Sequence, residues 1–263
     1  MISFPNAKIN IGLNIVAKRA DGYHDLESCF YPIPWCDVLE IIPSEELTFT
    51  SSGLAIPGSQ ESNLCIKAFE LLKERFNVGN VNIHLHKVIP MGAGLGGGSA
   101  DGAFTLRMLN SIFSLGLSIP ELQPLANQLG ADCPFFIENK PSYVTGTGDC
   151  FQPCNVDLKG NFLVLKNPEI HISTKEAFAN IKPKPSQNSL KEILANKPIS
   201  DWHQQVVNDF EKSVFPNHLE IEQIKNDFIG QGALYASMTG TGSTVYGIFE
   251  KDPELQGVEC FRL

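Results

Sequence analysis

The sequence predicts an α+β fold in two domains, and three observations lead to this prediction. The chain has 263 residues, which exceeds the usual size of a single domain. Segments in which apolar and polar residues alternate, as in strands, are interspersed with segments whose apolar residues recur every three to four positions, as in helices. A polar stretch at 155–160 separates two such halves, so we place the domains at 1–155 and 156–263.

Strands are predicted at the start of the chain. Residues 7–16 alternate between apolar and polar side chains, so this strand should have one apolar face and one polar face. The Asp21-Gly22 pair predicts a turn. The apolar stretches at 28–35 and 38–42 then predict two further strands, which suggests an antiparallel β start.

A helix, a strand and a glycine-rich loop are predicted next. Asn63 is a suitable helix cap, and apolar residues at three-to-four spacing predict a helix over 64–76. Residues 81–88 alternate again and predict a strand that leads into the glycine-rich segment 90–100. Residues 101–113 follow with helical periodicity. The predicted order is therefore strand, glycine loop, helix.

The rest of the chain is predicted to alternate short strands with helices. A proline- and lysine-rich piece at 181–187 predicts a surface loop. The helices are predicted at 120–129, 174–181, 202–212 and 217–229.

Composition narrows the class of protein. The formal net charge of −9 argues against a nucleic-acid backbone as the main partner, because such binding requires clustered Lys and Arg. It does not argue against a single nucleotide, which backbone amides and a metal ion can hold. The N-terminal segment has neither a signal-peptide core nor a spanning helix. We therefore expect no membrane association and a location in the cytoplasm.

The seven cysteines are scattered and form no C-x-x-C pair. We expect them to be reduced, mostly buried thiols, and we predict no metal cage. His84 and His86 have metal-like spacing, but they lie on one strand face with no further ligand, so surface histidines are expected.

The glycine-rich loop predicts phosphate binding. Five glycines lie within residues 92–98, although each costs about 1 kcal/mol relative to Ala in a regular element. Glycine permits positive φ and lets backbone N–H groups converge on an anion, and the helix that follows adds its positive N-terminal end. A di- or triphosphate is the expected ligand.

Two other phosphate-binding motifs fit less well. Gly92, Gly94 and Gly97 formally match the dinucleotide pattern G-x-G-x-x-G, but residues 115–120 lack the acidic residue that should follow. An NAD-dependent oxidoreductase is therefore weakly supported. The Walker pattern is absent, because no Lys follows the glycines.

The segment PMGAGLGGGSAD at 90–101 resembles the central motif of the GHMP small-molecule kinases, named for galactokinase, homoserine, mevalonate and phosphomevalonate kinases. Further segments resemble other parts of the family pattern in the family's order, and together they span nearly the whole chain. These segments are PNAKINIGLNI at 5–15, RADGYHDLES at 19–28, GADCPFF at 130–136 and MTGTGSTVYGIF at 238–249.

The resemblance implies the two-domain GHMP kinase fold, with an N-terminal domain like ribosomal protein S5 domain 2 and a C-terminal ferredoxin-like α/β sandwich. It also implies transfer of the γ-phosphate of ATP, with Mg²⁺, to an alcohol. The segments look most like those of members that phosphorylate the 2-hydroxyl of a cytidine-diphosphate-linked methylerythritol, a step of the non-mevalonate route to isoprenoid precursors. The expected assembly is a monomer or weak homodimer.

Two catalytic residues are implied by the resemblance. Asp132 falls on the family's catalytic aspartate and Lys8 on its catalytic lysine. An alcohol of very high pKa needs a base aligned on its proton, and a nearby ammonium keeps that carboxylate ionised. Without the family pattern, Asp132 would be interpreted as a turn residue and Lys8 as an exposed charge on an edge strand.

The resemblance also implies binding residues. Ser99 could donate to a phosphate or ligate Mg²⁺, and no metal ligand is assigned. The ATP-binding set is Pro90, Met91, Gly92, Ala93, Gly94, Leu95, Gly96, Gly97, Gly98, Ser99, Ala100, Asn63 and Asn110. The substrate-binding set is Asn10, Tyr23, His24, Phe178, Gly240 and Gly242.

Alternatives remain open for some of these residues. Phe178 is assigned as one face of a stack on cytosine, although a core helix residue is nearly as good an interpretation. Asn63 could simply cap a helix, and Asn110 could be a surface amide. Thr239 and Thr241 stand where family members often carry Ser, which keeps the hydroxyl groups.

Two other functions compete with this one. The first is a kinase of the same family that acts on homoserine or mevalonate, and the GYH segment at 22–24 argues against it. The second is a nucleotide-binding regulatory protein without turnover, and the presence of both Lys8 and Asp132 argues against that.

Overall fold

The computed structural model describes residues 1–185 and 189–263, so the last two residues of the loop predicted at 181–187 lie outside the described residues. The mixture of strands and helices confirms the α+β class. The strands are β1 (Ile2–Ser3), β2 (Asn6–Lys18), β3 (His24–Cys36), β4 (Val38–Pro43), β5 (Thr48–Gly53), β6 (Val81–Lys87), β7 (Ser142–Thr145), β8 (Cys150–Pro153), β9 (Phe162–Lys166), β10 (Tyr235–Met238), β11 (Val245–Phe249) and β12 (Glu259–Arg262). The helices are α1 (Leu64–Phe76), α2 (Gly97–Ile112), α3 (Ile119–Leu129), α4 (Cys133–Glu138), α5 (Thr174–Phe178), α6 (Leu190–Asn196), α7 (Glu211–Val214) and α8 (Leu219–Gly230).

The chain forms two compact units whose sequences interleave. Unit 1 comprises residues 1–7, 35–91 and 96–140, and unit 2 comprises residues 8–34, 92–95 and 141–263. These units are defined by contacts rather than by a single cut in the sequence. The domain boundary between residues 155 and 156 therefore stays a prediction.

Unit 1 is built on a four-stranded sheet in the order β1-β4-β6-β5. β6 pairs antiparallel with β4 and parallel with β5. The alternation predicted for β6 is confirmed, because Val81, Ile83 and Leu85 are buried while the intervening side chains are more exposed. Helices α1 and α2 pack against each other, and α2 also packs against β4.

Helix α2 begins at Gly97, four residues earlier than predicted. Gly96 has φ +70°, and the N–H of Ala100 donates to its carbonyl, so the left-handed residue ends the loop and the helix starts at once. The last glycines of the loop therefore form the first turn of the helix.

Unit 2 contains most of a sheet in the order β2-β3-β7-β8 and a second sheet in the order β10-β11-β9-β12. Helix α8 packs on β10 and β11. The predicted polar face of β2 is not solvated, because Lys8, Asn10 and Asn14 are all buried. The core of this unit includes Leu13, Ile15, Val164, Ile172, Phe210, Val214, Ile221, Phe228, Met238, Val245 and Phe249.

The helix predicted over 202–212 is wrong. A 3₁₀ turn runs over Ile199–Gln204, and an ordinary helix resumes only at Glu211. The intervening backbone pairs with β2 instead, since the N–H of Leu13 donates to Val207 and the N–H of Asp209 donates to the carbonyl of Leu13. Hydrogen bonds to a strand thus replace the expected helical ones.

All seven cysteines are free thiols, but only Cys29, Cys65 and Cys133 are buried, fewer than predicted.

Among residues 1–185 and 189–263, none of the helices combines the length and the apolar character required to cross a membrane.

Candidate active site

The glycine loop approaches a second glycine turn within unit 2. Gly94 has φ +78°, and a Cβ at this position would lie 2.1 Å from the carbonyl oxygen of Thr239. A Cβ on Gly240 would in turn lie 3.0 Å from the Cα of Gly94. Glycine is therefore required at both positions, and the two predicted binding segments are in backbone contact.

Lys8 is held beside this contact. Its side chain is only 3% exposed. The Lys8 ammonium donates to Oδ1 of Asn10 at 2.5 Å and to the carbonyl of Gly94 at 3.4 Å, and it lies 4.6 Å from the centre of the Phe30 ring. The alternative of an exposed charge on an edge strand is therefore wrong.

Asn10 completes this group in unit 2. Its Nδ2 donates to Oγ of Ser28 at 2.9 Å, and the Ser28 hydroxyl donates to the carbonyl of Gly12 at 2.6 Å. Asn10 thus orients Lys8 through its side-chain oxygen. Its assignment to substrate binding stays a prediction.

Asp132 lies in unit 1, at the N-terminal end of α4, and is partly exposed. Helix α4 packs against α2. Burial raises the pKa of the neighbouring Cys133 thiol to about 12, although the Ser99 hydroxyl, which hydrogen-bonds to that thiol, acts in the opposite direction. The structure therefore connects the residue after Asp132 with the first turn of the glycine-loop helix.

A buried triad of charged side chains holds the first turns of α2. The ammonium of Lys87 lies 2.5 Å from Oδ2 of Asp37 and 2.8 Å from Oδ2 of Asp101, and all three side chains are almost fully buried. The other oxygen of Asp37 accepts from the N–H groups of Val88 and Ile89. The triad joins the start of β4, the end of β6 and the first turn of α2.

Burial shifts the acid–base properties of the triad. Burial lowers the pKa of Lys87, but the charges of Asp101 and Asp37 outweigh this effect and raise it overall. Burial also raises the pKa of Asp101 to about 7, against the attraction of Lys87. Oδ1 of Asp101 has no hydrogen-bond partner among the residues that the structure describes.

Gly97, the first residue of α2, packs closely against Lys87 of this triad. A Cβ on Gly97 would lie 2.9 Å from Cγ2 of Ile89 and 3.0 Å from the ammonium of Lys87. The absence of a side chain here lets Lys87 reach the first turn of α2. Sequence reasoning missed the triad, although one signal was available, because Lys87 continues the buried parity of β6.

The predicted cytosine-binding residues are partly assembled in unit 2. The rings of His24 and Phe178 stack with centroids 4.8 Å apart and planes inclined by 27°. Phe210 contacts Phe178 edge-on at 4.8 Å. Tyr23 is 67% exposed. His24 and Phe178 therefore meet, while Tyr23 points to solvent.

The two asparagines assigned near the adenine have structural roles. Oδ1 of Asn63 accepts from the N–H of Cys65 at 2.8 Å and caps α1. The amide of Asn110 bonds to both backbone groups of Leu117, at 2.9 and 3.0 Å. Their contact with ATP stays a prediction.

The described residues form no group of three or more His, Cys, Asp or Glu that could hold a metal ion. His84 and His86 instead bond to the hydroxyls of Thr50 and Ser52. Mg²⁺ in kinases takes few protein ligands and completes its shell with phosphate oxygens and water. Such an ion needs no cluster of protein carboxylates, so the residues that the structure describes are compatible with one that arrives with a nucleotide.

The glycine loop at the start of α2 and the buried lysine beside it are features of a phosphate-binding enzyme, and comparison with protein families identifies which one. The model of the GHMP kinases N terminal domain matches residues 63–140, and the model of the GHMP kinases C terminal domain matches residues 186–260. The chain belongs to the GHMP kinase family, and the fold predicted from the resemblance is confirmed.

Several curated relatives along nearly the whole chain carry the same name. The 4-diphosphocytidyl-2-C-methyl-D-erythritol kinase of Cytophaga hutchinsonii is 52% identical, covering 97% of this chain and 94% of that protein. The enzyme of the same name from Parabacteroides distasonis is 51% identical over 99% of this chain and 96% of its own.

Solved structures agree with this assignment of the fold. The crystal structure of a 4-(cytidine 5'-diphospho)-2C-methyl-D-erythritol kinase superposes with a TM-score of 0.79 at 28% identity, covering 94% of this chain and 90% of that one. The mevalonate kinase of Methanococcus jannaschii superposes with a TM-score of 0.64 at 18% identity, over 99% and 96% of the two chains, and shares the fold.

Proposed function

We propose that this chain transfers the γ-phosphate of ATP to the 2-hydroxyl of 4-diphosphocytidyl-2-C-methyl-D-erythritol. The observation that carries the proposal is the identity above 50% to kinases of that name along nearly the whole chain. A buried lysine beside a constrained glycine loop supports it. The reaction is a step in the formation of isoprenoid precursors.

ATP is the co-substrate, and the glycine loop is its proposed binding segment. The first N–H groups of a helix have no intrahelical acceptor, so those at the start of α2 are available to phosphate oxygens. Gly92, Gly94 and Gly96 all have positive φ, a conformation that is typical of loops whose N–H groups bind anions. We assign the whole segment 90–100 to the phosphates, with Asn63 and Asn110 toward the adenine.

We propose Mg²⁺ as the metal of the reaction, held mainly by the nucleotide, and we assign Ser99, in the first turn of α2, to phosphate binding. When bound, the ion would neutralise charge on the phosphate oxygens. The protein's own contribution is then positioning, together with the dipole of α2.

Lys8 and Asp132 are the proposed catalytic residues. Asp132 accepts the proton of the substrate hydroxyl. At the same time the hydroxyl oxygen bonds to the γ-phosphorus of ATP, and the bond between that phosphorus and the bridging oxygen breaks, so that ADP leaves. The ammonium of Lys8 provides positive charge for the same transfer, and its fixed place beside Gly94 suits that role.

The cytidine end of the substrate is assigned to Asn10, Tyr23, His24 and Phe178. Aromatic faces bind a pyrimidine by offset stacking. The stacked rings of His24 and Phe178 in unit 2 support this assignment. Gly240 and Gly242 are assigned near the transferred phosphate. We place the protein in the cytoplasm, as a monomer or weak homodimer.

ATP consumption by the purified protein tests the proposal. We expect turnover with Mg²⁺ and the cytidyl substrate, none with homoserine or mevalonate, and loss of turnover in Asp132→Asn. Asp201→Asn, at an exposed aspartate, is the matched control and should keep full activity. Turnover with another alcohol would refute the substrate, and no turnover with any alcohol would refute the proposed function.

A further inference from the structure

The side chain of Thr239 connects two groups that hold the Lys8 ammonium. Thr239 is fully buried in the turn between β10 and β11. Its Oγ1 accepts from the N–H of Asn10 at 3.0 Å and donates to the carbonyl of Gly94 at 3.1 Å. Oδ1 of Asn10 is more distant, at 3.4 Å, so the single hydroxyl proton is best used on Gly94.

The two residues that the hydroxyl of Thr239 contacts both accept hydrogen bonds from the Lys8 ammonium. The ammonium of Lys8 donates to the side chain of Asn10 and to the carbonyl of Gly94. A change in the hydroxyl of Thr239 therefore acts on the lysine through both of them.

Asn208 fixes Thr239 from both sides. Its Nδ2 donates to the carbonyl of Met238 at 2.8 Å and to the carbonyl of Gly240 at 2.9 Å, which are the residues before and after Thr239. Oδ1 of Asn208 accepts from the N–H of Phe210 at 3.0 Å, and the side chain is only 1% exposed. The position of Thr239 is thus set by a fully bonded amide.

We propose that Thr239, fixed by Asn208, is a positioning residue for Lys8 in the phosphoryl transfer. The inference rests on the proposed function, in which Lys8 is catalytic. Loss of the hydroxyl leaves the buried N–H of Asn10 without this partner and leaves the carbonyl of Gly94 with the Lys8 ammonium at 3.4 Å, so both backbone groups shift. The lysine follows its acceptors and loses its alignment.

Valine and serine at position 239 separate the hydroxyl from the shape of the side chain. Thr239→Val keeps the shape and should lower kcat about 10–100-fold, with the KM for ATP within about twofold of wild type. Thr239→Ser keeps the hydroxyl and should restore kcat to within about threefold of wild type. Asn208→Asp, which replaces the donor of two hydrogen bonds, should lower kcat in the same direction.

Thr244 is a matched control in the same hairpin. It is also fully buried, but its Oγ1 has no hydrogen-bond partner among the residues that the structure describes. Thr244→Val should therefore leave kcat unchanged. Equal rates in Thr239→Val and Thr244→Val would overturn the inference, as would a failure of Thr239→Ser to restore kcat.

The position of the ammonium is also measured without turnover, by NMR of protein labelled with ¹⁵N-lysine. The Lys8 resonance is identified by its loss in Lys8→Met. It should shift in Thr239→Val and stay in place in Thr244→Val, and an unchanged resonance in Thr239→Val would overturn the inference. A wild-type protein without turnover would refute the proposed function, while the Lys8 resonance would still decide the role of Thr239.

Discussion

The carbonyl oxygen of Thr239 occupies the space that a side chain on Gly94 would need. The oxygen is 2.1 Å from the position of a Cβ at Gly94, and the backbone there has φ +78°. Two separate constraints thus act on one residue, since L side chains rarely adopt this φ and the space is filled. These two constraints predict that position 94 requires glycine, which a substitution can test.

Gly94→Ala should destabilise the protein strongly. Strain at positive φ costs about 1–2 kcal/mol, and crowding in a packed place adds about 1–3 kcal/mol. Gly116→Ala is the matched control, because φ is +70° and nothing lies within 4 Å of its Cβ position. Urea unfolding should show a loss for Gly94→Ala well above that of Gly116→Ala. Equal losses would mean that the turn moves away without cost.

Lys8→Met should abolish most activity while the fold is kept. We expect kcat to fall about 10²–10⁴-fold, as for loss of a group that acts in the transition state. The control is Lys18→Met, an exposed lysine at the end of the same strand. Steady-state kinetics and circular dichroism measure the two effects. A Lys8→Met enzyme as active as Lys18→Met would contradict the assignment.

Phe178→Leu should weaken binding of the cytidyl substrate and leave ATP unaffected. Loss of the stacking between the Phe178 ring and the cytosine should cost about 0.5–1.5 kcal/mol of binding free energy. This corresponds to a rise in the KM for the cytidyl substrate of up to about tenfold. Phe215→Leu is the control, since Phe215 is also partly buried against the core of unit 2. If both variants had the same KM values, Phe178 would be a core residue only.

Asp101→Asn should change how stability depends on pH. Since burial raises the pKa of Asp101 to about 7, the folded state binds more protons than the unfolded state between about pH 4 and 7. The free energy of unfolding therefore falls through this group as pH rises, by at most about 1.4 kcal/mol per pH unit. The asparagine variant lacks this slope.

Urea unfolding at several pH values from 5 to 8 measures that difference. The stability of wild type relative to Asp101→Asn should decrease as pH rises to 7 and then stay level. Asp201→Asn, at an exposed site, should run parallel to wild type. Parallel curves for Asp101→Asn as well would show that Asp101 is ionised throughout this range.

Local patterns were sufficient to predict the segment that carries the glycine loop. The alternation in β6 and the periodicity of α2 are set by neighbouring residues, so strand, loop and helix were found in order. Lys8 was assigned from the family motif, but the polar parity of its strand suggested solvent, whereas the side chain is buried. Burial of that face depends on residues far along the chain.

The roles of Asp37, Lys87 and Asn208 could not be predicted from the sequence, because they too depend on residues far apart in the chain. Asp37 stands at a break between strands and Lys87 at the end of one, and neither position shows that the two carry a shared ion pair. Asn208 lies in a segment with helical composition, yet its partners are about thirty residues further on. Pairings at such distance leave no periodic signal in the sequence.

Because the sequences of the two units interleave, the units are completed at different stages of synthesis. Every residue of unit 1 has been polymerised once the ribosome has passed residue 140. Unit 2 begins with residues 8–34 but gains its core partners only from residue 141 onward, and its last strand ends at Arg262. The segment that carries Lys8 therefore emerges among the first residues, whereas Thr239 and Tyr246, which bond to Asn10 in that segment, emerge among the last.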